Sequence, residues 1–305
     1  MRVLVMQDVS PAGLAELEGF DLVRGSDPSG FDGAVCYLVD RIDEAFLATP
    51  GLRAVATVSV GLDHIDLEAA ERHGVPISYT PDVLTEATAD LTFALILGTA
   101  RRLGEAERYL RDGQWKTWSF DLMLGSDVHG KTLGIIGPGR IGRAVARRAE
   151  GFSMRVLFAG RDRSELERVL RESDIVAVTV PLSGGTRHLI GPEELAMMRP
   201  GAILVNTSRG PVVDEAAVAE SLRSGHLGGA GLDVFEKEPE VLPALLECEN
   251  ALLVPHIGSA TSETRDAMAR AACRGLARIL QGERPPNLAN PAVWDGYAAR
   301  YGHGG

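Results

Sequence analysis

Thr132-Leu-Gly-Ile-Ile-Gly137-Pro138-Gly139-Arg140-Ile141-Gly142 carries an apolar run, suited to a buried parallel strand, straight into G-x-G-x-x-G. A helical pattern from Arg143 to Ala149 follows, and a second apolar run, Arg155 to Ala159, lies beyond it. In that context each glycine has a mechanical purpose. Gly137 permits a tight turn, Gly139 lets a pyrophosphate approach the backbone, and Gly142 lets helix and strand pack closely. The helix that begins at Arg140 and Ile141 offers unpaired N–H groups and a positive dipole end to the phosphates. The motif in this setting predicts a dinucleotide site; a glycine-rich turn without a ligand is the competing reading.

Outward from that stretch, short apolar runs alternate with helical patterns. Ahead of it, Met1 to Met6, Ala34 to Val39, Leu52 to Val58 and Val75 to Tyr79 read as buried strands. Gly13 to Glu18 has weak helical character, and Leu67 to His73 reads as a helix stopped by Gly74. Thr85 to Arg111 has apolar residues at helical spacing and reads as one long connecting helix, followed by an irregular stretch, Gly113 to Gly130, that holds Trp115 and Trp118. Behind the fingerprint, strands are expected at Ile175 to Val180, Ala202 to Thr207, Gly229 to Val234 and Ala251 to Val254, with helices starting near Ser164, Pro192 and Asp214. Ser262 to Gln281 reads as an alanine-rich helix ended by Gly282, ahead of a proline-rich tail that can return to the first domain. Strands alternating with helices mean β-α-β units and parallel sheets. Gly125 to Thr132 also fits G-x-x-x-x-G-K-[ST], but that motif needs a strand before it and a helix after it, and here the order is reversed.

The 305 residues stand near the length at which one core gives way to two. A net charge of −11 argues against nucleic acid or an anionic membrane as partner, since both would repel it. No apolar stretch approaches the roughly 18 residues of a membrane span, and no signal-peptide pattern opens the chain. Cys36, Cys248 and Cys273 lie far apart and read as buried thiols rather than a disulfide frame or metal site, which suits a cytoplasmic protein. No metal is expected, because neither H-E-x-x-H nor a Cys/His cluster occurs.

In open parallel sheets ligands sit at the carboxyl ends of the strands, so polar residues there are candidates. Leu204-Val-Asn206-Thr207-Ser208-Arg209-Gly210 places a permanent cation where a strand stops, Gly231-Leu-Asp233-Val-Phe-Glu236-Lys-Glu238-Pro239 ends in carboxylates, and Leu253-Val-Pro255-His256-Ile-Gly258-Ser259 ends in a histidine. Guanidinium, imidazole and carboxylate suit hydride transfer to a 2-keto acid. Arg209 can grip carboxylate and carbonyl oxygens with its planar fork of donors. His256 can deliver the proton that the forming alkoxide needs, and Glu238 can orient its ring and keep it charged. Taken singly, each has a bland reading as ion pair, loop acid or capping group.

Gly137 to Gly142, Asn206 to Gly210, Gly231 to Pro239 and Pro255 to Thr261 together resemble the D-isomer-specific 2-hydroxyacid dehydrogenase family. Ser59 to Asp66 and Tyr79 to Thr85 add to the likeness and look closest to its glyoxylate/hydroxypyruvate reductase branch. The resemblance implies Arg209, Glu238 and His256 as the catalytic set. It implies a substrate carboxylate held by the backbone of Val60 and Gly61 with Ser259 nearby, Asp233 facing the nicotinamide, and Pro181, Thr207, Ser208 and Gly258 lining the cofactor. It also implies a homodimer paired through the cofactor domains. Against the family pattern, the stretch between the second fingerprint-domain strand and Ser173 is short.

The cofactor's identity is read from the end of that second strand. An NAD site places an acid there for the ribose 2′-hydroxyl. This chain has Gly160-Arg161-Asp162-Arg163 instead. Glycine leaves room for a 2′-phosphate and Arg161 with Arg163 can pair with it, which favours NADP(H), with NAD(H) possible if Asp162 swings back. The expectation is therefore an α/β enzyme of two Rossmann-like or flavodoxin-like domains with parallel sheets and a cleft between them. Residues 1–97 with 280–305 would bind substrate and 98–279 the dinucleotide. It would be an NADPH-preferring reductase of glyoxylate or hydroxypyruvate. The alternatives are another family substrate, such as phosphoglycerate or D-lactate with NAD, or a cofactor-sensing corepressor-like binding protein.

Overall fold

The computed structural model describes residues 1–302; positions 303–305 of the expected tail lie outside the described residues. Two compact units emerge, one from Met1–Leu84 with the chain from Ser259 onward, the other from Thr85–Gly258.

The first unit holds five parallel strands: β1 (Arg2–Val5), β2 (Asp21–Arg24), β3 (Gly33–Cys36), β4 (Ala54–Thr57) and β5 (Ile77–Ser78), in the order β2-β1-β3-β4-β5. Strands β3 and β4 are buried at every position, which is why they read as unbroken apolar runs. Strand β2 has no such signature. It is an exposed edge strand of sequence Asp-Leu-Val-Arg, held to β1 by backbone pairing, and it falls in a stretch the sequence leaves unassigned.

The second unit holds β6 (Thr132–Ile136), β7 (Arg155–Ala159), β8 (Ile175–Val178), β9 (Ala202–Asn206), β10 (Leu227–Leu232) and β11 (Ala251–Leu253), all parallel, in the order β11-β10-β9-β8-β6-β7. The strand order reverses between β6 and β8, and the carboxyl end of such a reversal is where open α/β sheets place ligands.

Both unit boundaries differ from those read in the sequence, at 85 and 259 rather than 98 and 280, and packing supplies the reason. The helix Thr85–Ala100 buries Ala89, Phe93, Leu95 and Ile96 against Leu133, Ile135, Ala144 and Val145 of the second unit. The helix Ser262–Leu280 buries Met268, Ala272, Cys273, Leu276 and Ile279 against Val3, Val35, Ala54 and Ala56 of the first. The expected single helix over 85–111 is two. It breaks at Arg102, whose backbone is left-handed (φ 53°), and a second helix, Leu103–Arg111, has no buried residue. The Arg102 guanidinium then binds Glu105 at 2.6 and 2.8 Å.

The proline-rich tail ends as a helix, Trp294–Tyr301, whose Trp294 and Tyr297 enter the first unit's core. Each such burial stabilises by roughly 1.5–3 kcal/mol. The Asn290 side chain fixes the approach by accepting from Ile77 N (2.8 Å) and donating to Val75 O (2.9 Å). Cys36, Cys248 and Cys273 are free and buried, and burial pushes the thiols of Cys36 and Cys273 up to about 12. Among the described residues no helix is long and apolar enough to cross a membrane, and no group of three potential ligands could hold a metal.

Candidate active site

Strand β6 delivers the chain to Gly137, which turns at φ +104°. A Cβ there would lie 2.8 Å from Val180 Cγ1 and 3.0 Å from the Thr179 backbone, so both conformation and space require glycine. Thr179 Oγ1 holds the turn from the neighbouring strand end by donating to Gly137 O (2.9 Å) and Ile136 O (3.1 Å). A Cβ on Gly142 would stand 2.2 Å from Gly137 O, so this glycine lets the helix Arg140–Glu150 close on the turn. At Gly139 a Cβ would meet nothing within 4 Å, and the helix has no side-chain cap at that residue. An open backbone approach to an uncapped helix N-terminus fits a pyrophosphate. Ile141 packs on the core beneath it, and Arg140 is exposed. The phosphate-loop match at Gly125–Thr132 leads into β6 rather than a helix, and so has no phosphate cradle.

At the end of β7, Gly160 donates its N–H to Glu165 Oε2 (2.9 Å). Asp162 caps the helix Arg163–Glu172, its Oδ1 accepting from Ser164 N and Ser164 Oγ at 2.9 Å each. One oxygen of that carboxylate is thus taken up by the cap. Arg163 is engaged in ion pairs. Its guanidinium pairs with Glu194 (2.7 Å) and Glu167 (3.2 Å), drawn to two carboxylates at the helix flank instead of the strand end. Arg161 is exposed and makes no ion pair among the described residues.

The loops after β8, β9, β10 and β11 are each tied by side chains. Pro181 O accepts from Thr186 Oγ1 (2.7 Å). Beyond β9, Asn206 Oδ1 accepts from Ser208 N (3.0 Å) and Ser208 Oγ (2.7 Å), while its Nδ2 donates to Arg209 O (3.0 Å). Thr207 Oγ1 meets Thr92 Oγ1 at 2.8 Å. Asn206 thus sets the turn from which Arg209 projects, an organising role its side-chain type alone does not announce. The Arg209 Nη1 donates to Ser208 O (2.9 Å).

Asp233 is tied to the histidine loop. Its carboxylate is 1% exposed and accepts from Ile257 N (2.6 Å) and Gly258 N (2.8 Å), while its backbone O accepts from His256 N (2.9 Å). Burial pushes the Asp233 carboxyl above its ordinary range in spite of those bonds. Both side-chain oxygens are spent on the histidine loop, so the side chain anchors that loop.

His256 sits at φ +51°, a left-handed backbone that costs a non-glycine residue about 1 kcal/mol or more. Its Nδ1 lies 2.7 Å from Glu238 Oε2, and Glu238 Oε1 accepts from Phe235 N (2.9 Å). The side chains of His256 and Glu238 are 25% and 28% exposed, so the pair is sheltered yet reachable. Burial would raise the Glu238 carboxyl, but the hydrogen bonds from His256 and Phe235 and the charges of His256 and Arg209 outweigh it and hold it below the usual range. Glu236 and Glu215 brace the same loop, each accepting from the other's backbone N–H. A folded-state pKa held down stabilises above the unfolded value and ceases to do so as pH falls through the folded one. Glu238→Gln is therefore expected to lower Tm at neutral pH, with the gap closing as pH drops below the ordinary glutamate value of about 4.3. A gap in Tm that stays constant from pH 7 to pH 3 contradicts this.

In the first unit, Val60 and Gly61 follow β4, and their backbone N–H groups make no hydrogen bond among the described residues. Ser59 Oγ shapes that turn, donating to Gly61 O (2.7 Å) and meeting Thr57 Oγ1 at 2.8 Å. Ser259 stands just ahead of the Thr261 cap of the helix Ser262–Leu280.

Sheet order, glycine turn and strand-end side chains define a nicotinamide-dinucleotide oxidoreductase, and comparison with known proteins gives the same class. Residues 93–258 match the family model described as D-isomer specific 2-hydroxyacid dehydrogenase, NAD binding domain. The chain belongs to the D-isomer specific 2-hydroxyacid dehydrogenase family and is an NAD(P)-dependent oxidoreductase. It is 46% identical over 322 residues, covering 96% of each chain, to a glyoxylate reductase of Korarchaeum cryptofilum. The crystal structure of the TT0316 protein of Thermus thermophilus superposes with a TM-score of 0.90 at 44% identity, over 95% of this chain and all of that one. An NADPH-dependent glyoxylate/hydroxypyruvate reductase of Sinorhizobium meliloti gives a TM-score of 0.85 at 36% identity, over 95% and 98%.

Proposed function

We propose that the protein reduces glyoxylate or hydroxypyruvate, drawing preferentially on NADPH. The observation that carries this reading is the His256 Nδ1–Glu238 Oε2 contact of 2.7 Å, made in a loop whose carboxylate also feels the Arg209 charge. With Nδ1 held by the carboxylate, the ring's Nε2 is the nitrogen left to give a proton to the alkoxide oxygen. Arg209 holds the keto oxygen and a carboxylate oxygen of the substrate through its fork of donors. The bound reduced nicotinamide supplies the hydride. Gly137, Gly139, Arg140, Ile141 and Gly142 hold its pyrophosphate, with Pro181, Thr207, Ser208 and Gly258 lining its remainder.

The test follows loss of reduced-nicotinamide absorbance with NADPH and with NADH over glyoxylate, hydroxypyruvate, pyruvate and 3-phosphohydroxypyruvate. Fastest turnover with the first two and NADPH is expected; turnover confined to the phosphorylated acid or to NADH overturns the reading. For the cofactor, Gly160→Asp is expected to move preference toward NADH by about tenfold, the acid taking the ribose 2′-hydroxyl. Gly160 has no positive φ and a Cβ there keeps 3.5 Å from Glu165 Oε2, so the variant should fold. An unchanged NADPH/NADH ratio contradicts a role for this position.

We also propose a homodimer that pairs through the dinucleotide unit. Leu103, Leu110, Trp115, Trp118, Phe120 and Leu124 are exposed, Trp118 at 74% and Phe120 at 83%, and large apolar side chains gathered in one exposed segment favour an interaction surface. Light scattering on purified protein should give twice the chain mass; a monomer contradicts it.

A further inference from the structure

We infer that Glu165 reads the ribose 2′ position of the dinucleotide and opposes the 2′-phosphate, so that cofactor choice is a contest between Glu165 and Arg161. This deepens the NADPH reading above and rests on it for the place where the ribose lies.

Dinucleotide sheets read the ribose with the residue just past the second strand. That residue is Gly160, which has no side chain, yet a carboxylate still stands at the position. The acid comes from Glu165, in the first turn of the helix Arg163–Glu172, and its Oε2 accepts the Gly160 N–H at 2.9 Å. The Glu165 oxygen lies close to the strand end itself, 3.5 Å from where a Cβ at 160 would stand. The Asp162 Oδ1 is engaged in capping instead.

A carboxylate so placed has two consequences. It can accept from a ribose 2′-hydroxyl, which suits NADH. It also holds a backbone N–H that a 2′-phosphate would otherwise take, and repels that phosphate at close range. Two like charges about 5 Å apart at a protein surface repel by more than thermal energy, even with screening. The opposing cation is the adjacent Arg161, since Arg163 is paired with Glu194 and Glu167.

The experiment compares kcat/KM for NADPH and NADH in wild type, Glu165→Gln, Glu165→Ala and Arg161→Ala at saturating keto acid. Binding of each reduced cofactor is measured separately by nicotinamide fluorescence. Both Glu165 variants are expected to raise the NADPH/NADH ratio by about tenfold, and Arg161→Ala to lower it by a similar factor. Glu165 is exposed, so both variants should fold. A ratio that stays within twofold of wild type, or falls, in both Glu165 variants overturns the inference. Wild-type preference for NADH defeats the NADPH reading while leaving the Glu165 shift to be judged by its own ratio. Failure of the wild type to bind either cofactor defeats both.

Discussion

His256→Ala is expected to lower kcat by a factor of about 10² to 10⁴, the usual value of a positioned general acid, with KM for the keto acid changed only a few-fold. The loop should survive the loss of the ring. Its backbone is held by Asp233, whose carboxylate accepts from Ile257 N and Gly258 N and whose carbonyl accepts from His256 N, none of which involves imidazole. The left-handed backbone at 256 is strained for alanine and histidine alike, so the exchange adds little strain of its own. What is removed is the ring between Glu238 and the substrate. The variant should therefore keep its fold and its dinucleotide affinity while losing turnover, with only the modest drop in Tm that loss of the Glu238 bond brings. Near-normal kcat would mean that the proton comes from another group. Loss of cofactor binding in parallel would mean that the ring supports the loop, not the chemistry.

Gly210→Ala is expected to destabilise the protein by about 3–5 kcal/mol, at the severe end for a single added methyl group. Gly210 follows Arg209 directly, and a Cβ on it would lie 1.9 Å from the carbonyl carbon of Phe235, 2.0 Å from its oxygen and 2.4 Å from Glu236 N. These are backbone atoms, with no rotamer by which to retreat. The methyl would drive the Arg209 turn away from the segment that carries Glu238, so activity should fall with stability. Gly139→Ala is the control, since a Cβ there meets nothing within 4 Å. It should leave Tm unchanged and weaken dinucleotide binding, because the new methyl occupies the approach of the pyrophosphate. Urea unfolding and cofactor titration separate the two outcomes. A Gly210→Ala protein as stable as wild type would show that the two segments can part without cost.

Central strands were legible because both of their faces are covered, which leaves long apolar runs such as Leu133–Ile136 and Ile175–Val178. Edge strand β2 was not, since half-exposed Asp21–Arg24 resembles a loop. The break at Arg102 and the boundary at 259 depend on which core a helix face meets, a tertiary fact that periodicity does not encode. In the candidate site, residues named by short motifs were legible in position. Their partnerships were not. The Thr179 bond to Gly137 spans 42 positions, and the Arg163 tether to Glu194 crosses from one helix to another. Asp233 and Glu165 show the same limit, because where a carboxylate points is fixed by rotamer and neighbours, not by spacing.

The interior thiols give the molecule a built-in pair of tell-tales. Cys36 and Cys273 lie in the first unit and Cys248 in the second, and all three are shut away from solvent. A neutral, enclosed sulfur does not react with an alkylating agent, so each one scores only when its own surroundings open. Pulsed alkylation read by peptide mass would thus time the loosening of each half of the chain separately, with no engineered label.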